Sequence, residues 1–232
     1  MQRRFNPAEL EWMDRPQPVS IELERDLHNI RQLNRFFGSY TLVSRFLKQW
    51  IKPNDRLRVL DLATGSGDIP RLVVDYARSV HAEMAVDAVD AQPATLEIAK
   101  SLSMAYPEIA FHHGNILEWE GGPYDMVLCS LVLHHFTELD AVRLLRRARE
   151  LSRAFVLVAD LRRSFLARAG VFLLTSAVFR DAMTKFDGRL SAARAFSFQE
   201  FGELARRARW NNFRHAKFRF ARQALWLEER GP

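Results

Sequence analysis

The chain has 232 residues, of which 48% are hydrophobic and 11% aromatic, and it carries a formal net charge of +6. This length supports one sizeable hydrophobic core, or one core with a small cap. A single cysteine excludes an intrachain disulfide, no basic and then apolar leader begins the sequence, and no apolar run approaches the roughly 20 residues that span a bilayer. We therefore expect a cytoplasmic protein without a membrane span.

Apolar residues at helical spacing predict a helical N-terminal cap or lid. Leu23, Leu27 and Ile30 recur at intervals of four and three, and Gly38 interrupts the pattern before it resumes up to Trp50. We assign residues 1–55 to this cap and residues 56–232 to the main domain.

From residue 56 onward, short apolar runs alternate with helical segments. The runs cover residues 59–62, 85–89, 126–129 and 155–158, and helical patterns follow the first three of them at 70–78, 93–104 and 140–151. Runs this short, separated by helices, are typical of βαβ units. The pattern predicts an α/β fold in which helices cover both faces of a doubly wound parallel sheet.

An additional apolar stretch at residues 165–183 is more than a minimal doubly wound domain needs. We predict a helical insertion after the fifth strand, over residues 163–195, on the substrate side. The stretch is too short to span a bilayer, which leaves plain core, a membrane-surface helix, a dimer face or the roof of a substrate pocket, and we favour the roof. Two strands after the last helix indicate an antiparallel sheet edge.

The stretch "RVLDLATGSGDIP" places two glycines between the first strand and the first helix of the sheet domain. A dinucleotide-binding turn and an S-adenosylmethionine turn both need glycines there, because the ligand approaches the backbone closely. Pro70 stands where the dinucleotide motif needs its third glycine, and Asp68 would repel phosphates at the helix N-terminus. Asp61 and Asp68 instead suit the cationic sulfonium and ammonium groups of S-adenosylmethionine.

Polar residues at the ends of the later strands continue this pattern. Asp90 ends the second strand, 23 residues after Gly67, near the spacing of about 20 at which an acidic residue meets ribose hydroxyls. Asn115 follows the third strand, where its side chain can bond an adenine amino group while Ile116 flanks the ring. Ser130 ends the fourth strand beside the expected ligand crevice.

The series resembles the class I S-adenosylmethionine-dependent methyltransferases, from about Leu57 to Leu227. The form "DLATGSGD" is similar to the quinone-biosynthesis branch. Three further segments, "IRQLNRFFGSY", "VADLRRS" and "FDGRLSAARAFS", resemble small-molecule methyltransferases encoded beside bacterial type III polyketide synthases. The resemblance implies a Rossmann-like seven-stranded sheet with an antiparallel last strand, S-adenosylmethionine as the cofactor and S-adenosylhomocysteine as its product.

The resemblance also implies site residues. The predicted cofactor set is Asp61, Ala63, Thr64, Gly65, Gly67, Asp68, Asp90, Ala91, Asn115, Ile116, Ser130 and Leu131. The predicted substrate set is Tyr40, Arg162, Phe172, Asp187 and Arg194. Ala63 stands where many members of the family have glycine, Asn115 where many have aspartate, Ala159 where asparagine is commoner and Phe186 where histidine is commoner.

Three residues are candidates for catalysis on the acceptor side. A phenol nucleophile, with a pKa of about 10 like that of tyrosine, would benefit from a base, and His134 and His135 follow the fourth strand. Adjacent residues point differently, so we expect at most one of them to face the methyl group. Asp160 would orient a histidine or cap the following helix. We expect no metal site, because a strand would send His112 and His113 to opposite faces.

The predicted function is methyl transfer to a small apolar or aromatic acceptor, phenolic or polyketide-like, in secondary metabolism. The alternatives are an RNA or protein methyltransferase, or a cofactor-binding interaction module. Arginines and aromatic residues alternate between residues 206 and 222, as in a nucleic-acid surface, but the spacing of the phenylalanines suits a half-buried strand. We therefore expect a small-molecule substrate rather than a nucleic acid, and a monomer or homodimer.

Overall fold

The computed structural model describes residues 2–177 and 181–229. Residues 178–180 of the predicted apolar stretch, and the outermost residues of the two predicted domains, therefore lie outside the described residues. After an irregular segment, two helices form the N-terminal region: α1 (Ile21–Phe36) and α2 (Ser39–Trp50). Ser20 caps α1 by accepting a hydrogen bond from the Leu23 N–H, and Gly38, with φ of 84°, provides the left-handed turn between the helices.

Seven strands form one sheet in the order β3-β2-β1-β4-β5-β7-β6. The strands are β1 (Arg56–Leu62), β2 (Glu83–Asp90), β3 (Ile109–His113), β4 (Tyr124–Ser130), β5 (Ser152–Leu161), β6 (Arg214–Phe218) and β7 (Arg222–Glu228). The first five are parallel, and β7 pairs antiparallel with both β5 and β6. This topology confirms the predicted seven-stranded fold with an antiparallel last strand.

The last two strands form the predicted antiparallel edge of the sheet. β7 lies between β5 and β6, so β6 forms the edge and runs parallel to β5. Turn residues 219–221 reverse the chain after β6 and return β7 to the unpaired side of β5. The nearly continuous burial of β7, with Ala224 and Leu225 fully inaccessible, agrees with an inner strand rather than an edge.

Helices cover both faces of the sheet. They are α3 (Asp68–Ser79), α4 (Pro93–Leu102), α5 (Glu138–Leu151), α6 (Phe165–Ala177), α7 (Ala182–Arg194) and α8 (Phe198–Arg207). On β1, Leu60 and Leu62 pack into one core with α5 and α8, and Val59 packs into the other with α2 and α3. This alternation is the two-residue period of a strand buried on both faces.

The helical insertion after β5 consists of α6 and α7, packed against each other. The N-terminal segment runs beside α7, since the N–H groups of Trp12 and Met13 donate to the Asp187 carboxylate at 2.7 and 3.1 Å. These elements cover the carboxyl ends of the strands. Along the described residues, we find no helix with the length and apolar character to cross a membrane.

Candidate active site

One cavity of about 1020 Å³ opens at the carboxyl ends of the central strands and continues beneath α6 and α7. The chain order of the sheet reverses between β1 and β4, which is where open α/β sheets bind ligands. Most of the predicted site residues line the cavity: Asp61, Ala63, Thr64, Gly65, Asp68, Asp90, Ala91, Asn115, Ile116, Ser130, Leu131, His134, His135, Arg162 and Asp187.

The glycine loop between β1 and α3 turns through left-handed backbone conformations. Ala63, Gly65 and Gly67 have φ values of 59°, 54° and 73°. The Gly65 N–H donates to an Asp90 carboxylate oxygen at 2.8 Å, which ties the loop to the end of β2. A Cβ placed on Gly65 would meet nothing within 4 Å. The loop backbone is therefore open to a ligand on its cavity side.

Three buried polar atoms of this region have no hydrogen-bond partner among the described residues: Asp61 Oδ2, Thr64 Oγ1 and Ser130 Oγ. Leaving such atoms unpaired costs free energy, roughly 1–3 kcal/mol each. Burial, followed by the nearby Asp68 and Asp90 carboxylates, raises the pKa of Asp61 to about 8. A ligand with a cationic group and hydrogen-bond donors would satisfy this site, as an amino acid ammonium group does.

The N-terminal helices contact the glycine loop directly. The Asn34 side chain on α1 donates to Asp68 Oδ2 at 3.0 Å, and Asp68 is the first residue of α3. Asp68 therefore places negative charge at a helix N-terminus, where a pyrophosphate would otherwise bind. An acidic residue at the start of α3 disfavours a phosphate group there, and the Asn34 hydrogen bond connects the N-terminal helices to the loop.

The predicted nucleoside side of the site lies at the ends of β2 and β3. Asp90 Oδ1 accepts from the Gln92 N–H at 2.9 Å, and Asn115 Oδ1 accepts from the Leu117 N–H at 3.0 Å. Ile116 is buried, with 5% of its surface exposed, and lines the cavity between them. A carboxylate, an amide and an apolar wall are thus held by local backbone hydrogen bonds.

We predict that Asp90→Ala weakens cofactor binding by about 1.5–3 kcal/mol, the free energy of hydrogen bonds to a charged group. The substitution removes both the proposed ribose contact and the hydrogen bond from Gly65. Isothermal titration calorimetry with S-adenosylhomocysteine measures the change, and His28→Ala, which alters an exposed side chain of α1, is the control. An unchanged dissociation constant would remove Asp90 from the site.

His134 and Asp160 form a buried pair at the opposite end of the cavity. His134 Nδ1 lies 2.7 Å from Asp160 Oδ1, and the His134 N–H donates to Asp160 Oδ2 at 3.0 Å. Burial lowers the pKa of His134 more than the Asp160 carboxylate raises it. The imidazole is therefore neutral at pH 7, and Asp160 fixes its orientation from behind without lining the cavity itself.

Both histidines line the cavity, and the expectation that at most one of them faces the methyl group stays a prediction. They lie on a short 3-10 helix, Leu133–His135, in which successive side chains turn by about 120° rather than alternating as in a strand. Their rings are 4.3 Å apart. His135 Nδ1 lies 2.7 Å from Asp14 Oδ2, and the Glu11 and Asp14 carboxylates outweigh burial and raise the pKa of His135 to about 10.

Besides Asp160, four predicted residues lie outside the cavity. Tyr40 packs against the core around α2, and Gly67 faces the Phe111 ring. Phe172 points outward, with 54% of its surface exposed, because the cavity-facing positions of α6 are those of neighbouring residues. Arg194 is buried and donates to the backbone carbonyl of residue 6 at 3.0 Å, so it holds the N-terminal segment rather than a substrate.

Sequence reasoning missed three acidic residues of the site. Asp14 ends a short 3-10 helix, Trp12–Asp14, and Glu11 precedes it; a helix of three residues has no periodicity that could place them. Asp26 could have been identified from the sequence as a buried acidic residue, because it falls between Leu23 and Leu27 on the apolar stripe of α1. Its carboxylate is fully buried, accepts from the Thr184 hydroxyl at 2.7 Å, and lines the cavity.

Comparisons with known proteins agree with this geometry. Residues 59–154 match a family model described as a methyltransferase domain. No curated protein sequence matches the chain. The plantazolicin methyltransferase BpumL, solved with a triazolic desmethyl-plantazolicin analogue and S-adenosylhomocysteine, is similar over 90% of each chain, with a TM-score of 0.67 and 12% identity.

Two further solved structures share the fold. The magnesium protoporphyrin IX methyltransferase of Synechocystis PCC 6803, solved with bound S-adenosylhomocysteine, has 15% identity and a TM-score of 0.59 over 94% of this chain and 91% of its own. A protein from Nostoc punctiforme PCC 73102, described as a candidate O-methyltransferase, has 19% identity and a TM-score of 0.64 over 89% of this chain. The present chain spans 59% of that protein's length.

The shared fold, the matched segment and the loop geometry confirm the predicted cofactor class. The glycine loop, the orphaned Asp61 oxygen and the end of β2 all lie within or beside residues 59–154. Residues 59–154 are thus a methyltransferase domain, and the chain shares the fold of methyltransferases solved with S-adenosylhomocysteine.

Proposed function

We propose that the enzyme methylates a small apolar or aromatic acceptor, phenolic or polyketide-like, in a biosynthetic pathway of secondary metabolism. The observation that carries this proposal is the single cavity of about 1020 Å³ that joins the glycine loop to His134 and His135. Its surface is mostly apolar. A volume of this order accommodates a cofactor together with a small second molecule.

We assign the two ends of the cavity to two different molecules, the cofactor and the acceptor. In this proposal Asp61, Asp90 and Asn115 hold the cofactor, and Val171 and Thr175 of α6, which also line the cavity, lie over the acceptor. Methyl transfer is an in-line displacement, so the protein acts mainly by positioning the nucleophile and excluding water. The neutral His134 imidazole, held by Asp160, presents Nε2 to the cavity and is placed to contact the acceptor's reacting group.

The arginines near the C-terminus favour a small molecule over RNA. Arg206 and Arg207 form ion pairs with Glu203 and Glu138, both at 2.7 Å. Arg222 is buried against the Ser39 hydroxyl. Side chains used in this way are less available to phosphates than a free basic stripe would be.

The names of the similar structures also favour a small-molecule acceptor over RNA. One is named for plantazolicin and another for magnesium protoporphyrin IX, and neither name refers to a nucleic acid. These relatives share 12% and 15% identity with the chain. They support the class of acceptor proposed here, and the acceptor itself has to be found by screening.

A mass-spectrometric screen of alkylated phenols and resorcinols with isotope-labelled S-adenosylmethionine tests the proposal. We expect a product heavier by one labelled methyl group, and acceptor binding that changes little with salt, because an apolar pocket has few charges to screen. An RNA acceptor would instead lose affinity with a logarithmic slope of about 0.7 to 0.9 per phosphate contacted. If RNA acquires the labelled methyl group and the phenols do not, the small-molecule proposal is refuted.

A further inference from the structure

Two imidazoles and one carboxylate converge inside the cavity. His134 Nε2 lies 3.9 Å from Glu11 Oε1, and His135 Nε2 lies 3.9 Å from Glu11 Oε2. Ligand-capable atoms of the three side chains all lie within 4.8 Å of one another. Glu11 and His134 are each 3% exposed and His135 is 20% exposed, so the group sits at the wall of the cavity rather than on the surface.

The other ring nitrogen of each histidine meets its own carboxylate. His134 Nδ1 lies 2.7 Å from Asp160 Oδ1, and His135 Nδ1 lies 2.7 Å from Asp14 Oδ2. A carboxylate at this position accepts the Nδ1–H. The neutral His134 imidazole then has its lone pair on Nε2, and His135 offers one once a bound cation displaces its Nε2 proton to water. Metal-binding histidines are characteristically held in this way by an outer carboxylate.

We propose that Glu11, His134 and His135 bind a divalent first-row transition-metal ion of the Zn²⁺ type. Two imidazoles and one carboxylate are a ligand set that such ions prefer, and they leave at least one coordination position open. Tetrahedral bonds of about 2.1 Å would place ligand atoms about 3.4 Å apart. With one Glu11 oxygen as ligand, one 3.9 Å contact must shorten by about 0.5 Å, and the other two pairs, which lie within 4.8 Å, by at most about 1.4 Å. Side-chain rotations can supply these shifts. This inference departs from the sequence expectation of no metal site.

The role of the ion rests on the proposed function. The open position faces the cavity, where a hydroxyl oxygen of the acceptor would bind and release its proton to water. That oxygen then attacks the methyl carbon of the cofactor: the new O–C bond forms as the C–S bond breaks, and S-adenosylhomocysteine leaves. His134 acts in this scheme as a ligand that positions the ion and not as a free base.

Calorimetry with ZnCl₂ on chelator-treated, tag-free protein tests the site without acceptor or cofactor. We expect one Zn²⁺ per chain, and at least a tenfold weaker affinity in both Glu11→Gln and His135→Ala. Asp26→Asn, which removes a different cavity carboxylate, and His113→Ala, which removes an exposed histidine, should bind as the parent does. The Co²⁺-loaded parent should show visible absorption bands that are lost in His135→Ala. These bands report the same ligands and do not depend on how much of each protein folds.

The outcomes separate the two proposals. Failure of the parent to bind Zn²⁺, or equal binding by the parent and both cluster variants, overturns the metal site while leaving methyl transfer untouched. If the chelator-treated enzyme methylates an acceptor as fast as the Zn²⁺-loaded enzyme, the ion does not hold the acceptor. Absence of any small-molecule product with normal Zn²⁺ binding would overturn the proposed function and not the metal site.

Discussion

His134→Ala is expected to lower methyl-transfer turnover by about 10²-fold or more, the usual contribution of a positioned catalytic side chain. Its Nε2 faces the acceptor end of the cavity, where it contacts the acceptor or holds the ion that does so. Cofactor affinity should be unchanged, because the imidazole lies away from the glycine loop. Steady-state turnover and calorimetry with S-adenosylhomocysteine measure the two effects separately.

Exogenous imidazole provides the control for a purely structural effect. The substitution leaves Asp160 with hydrogen bonds from the backbone N–H groups of residues 134 and 161, so the fold should persist. Added imidazole can occupy the space beside Asp160 and should restore part of the turnover of His134→Ala. His113→Ala should behave as the parent. A His134→Ala enzyme as fast as the parent would show that this residue does not contribute to the reaction.

Asp26→Asn is expected to remove a pH dependence of stability. Burial raises the pKa of Asp26 to about 7 from 3.8 in the unfolded chain, and its Oδ2 has no hydrogen-bond partner among the described residues. Between these two values the unfolded chain has lost the proton while the folded protein retains it. The free energy of unfolding of the parent therefore falls as pH rises through this window, by about 1.4 kcal/mol per pH unit from this group.

Urea denaturation of the cofactor-free protein at pH 5, 6 and 7 measures this effect. The difference in unfolding free energy between parent and Asp26→Asn should shift by about 1.4 kcal/mol per pH unit in favour of the variant. Asp75→Asn, on the exposed side of α3, should keep the parent's slope because its side chain remains in water. Parallel slopes for the parent and Asp26→Asn would mean that Asp26 is ionised in the folded protein across this range.

The fold and the cofactor end of the site follow from patterns that are local in the sequence. Short apolar runs and helical periods determine the βαβ alternation, and parallel strands bring their carboxyl ends to one edge of the sheet. Asp61, Gly65 and Asp90 each lie at the end of a strand or just after one, so their meeting follows from strand order alone. The glycine spacing likewise reflects a backbone requirement within a few residues.

The acceptor end of the site depends on contacts between segments that are far apart in the sequence, and no local periodicity of the sequence predicts such contacts. Glu11 and Asp14 reach the histidines from more than 100 residues away along the chain. Their segment is held in place by backbone N–H groups that donate to the Asp187 carboxylate on α7. The helix α6 is apolar on most of its surface, so its sequence could not show that Val171 faces the cavity and Phe172 faces outward. Only the packing of α7, α6 and the N-terminal segment on one another fixed those directions, because burial against a partner selects the face.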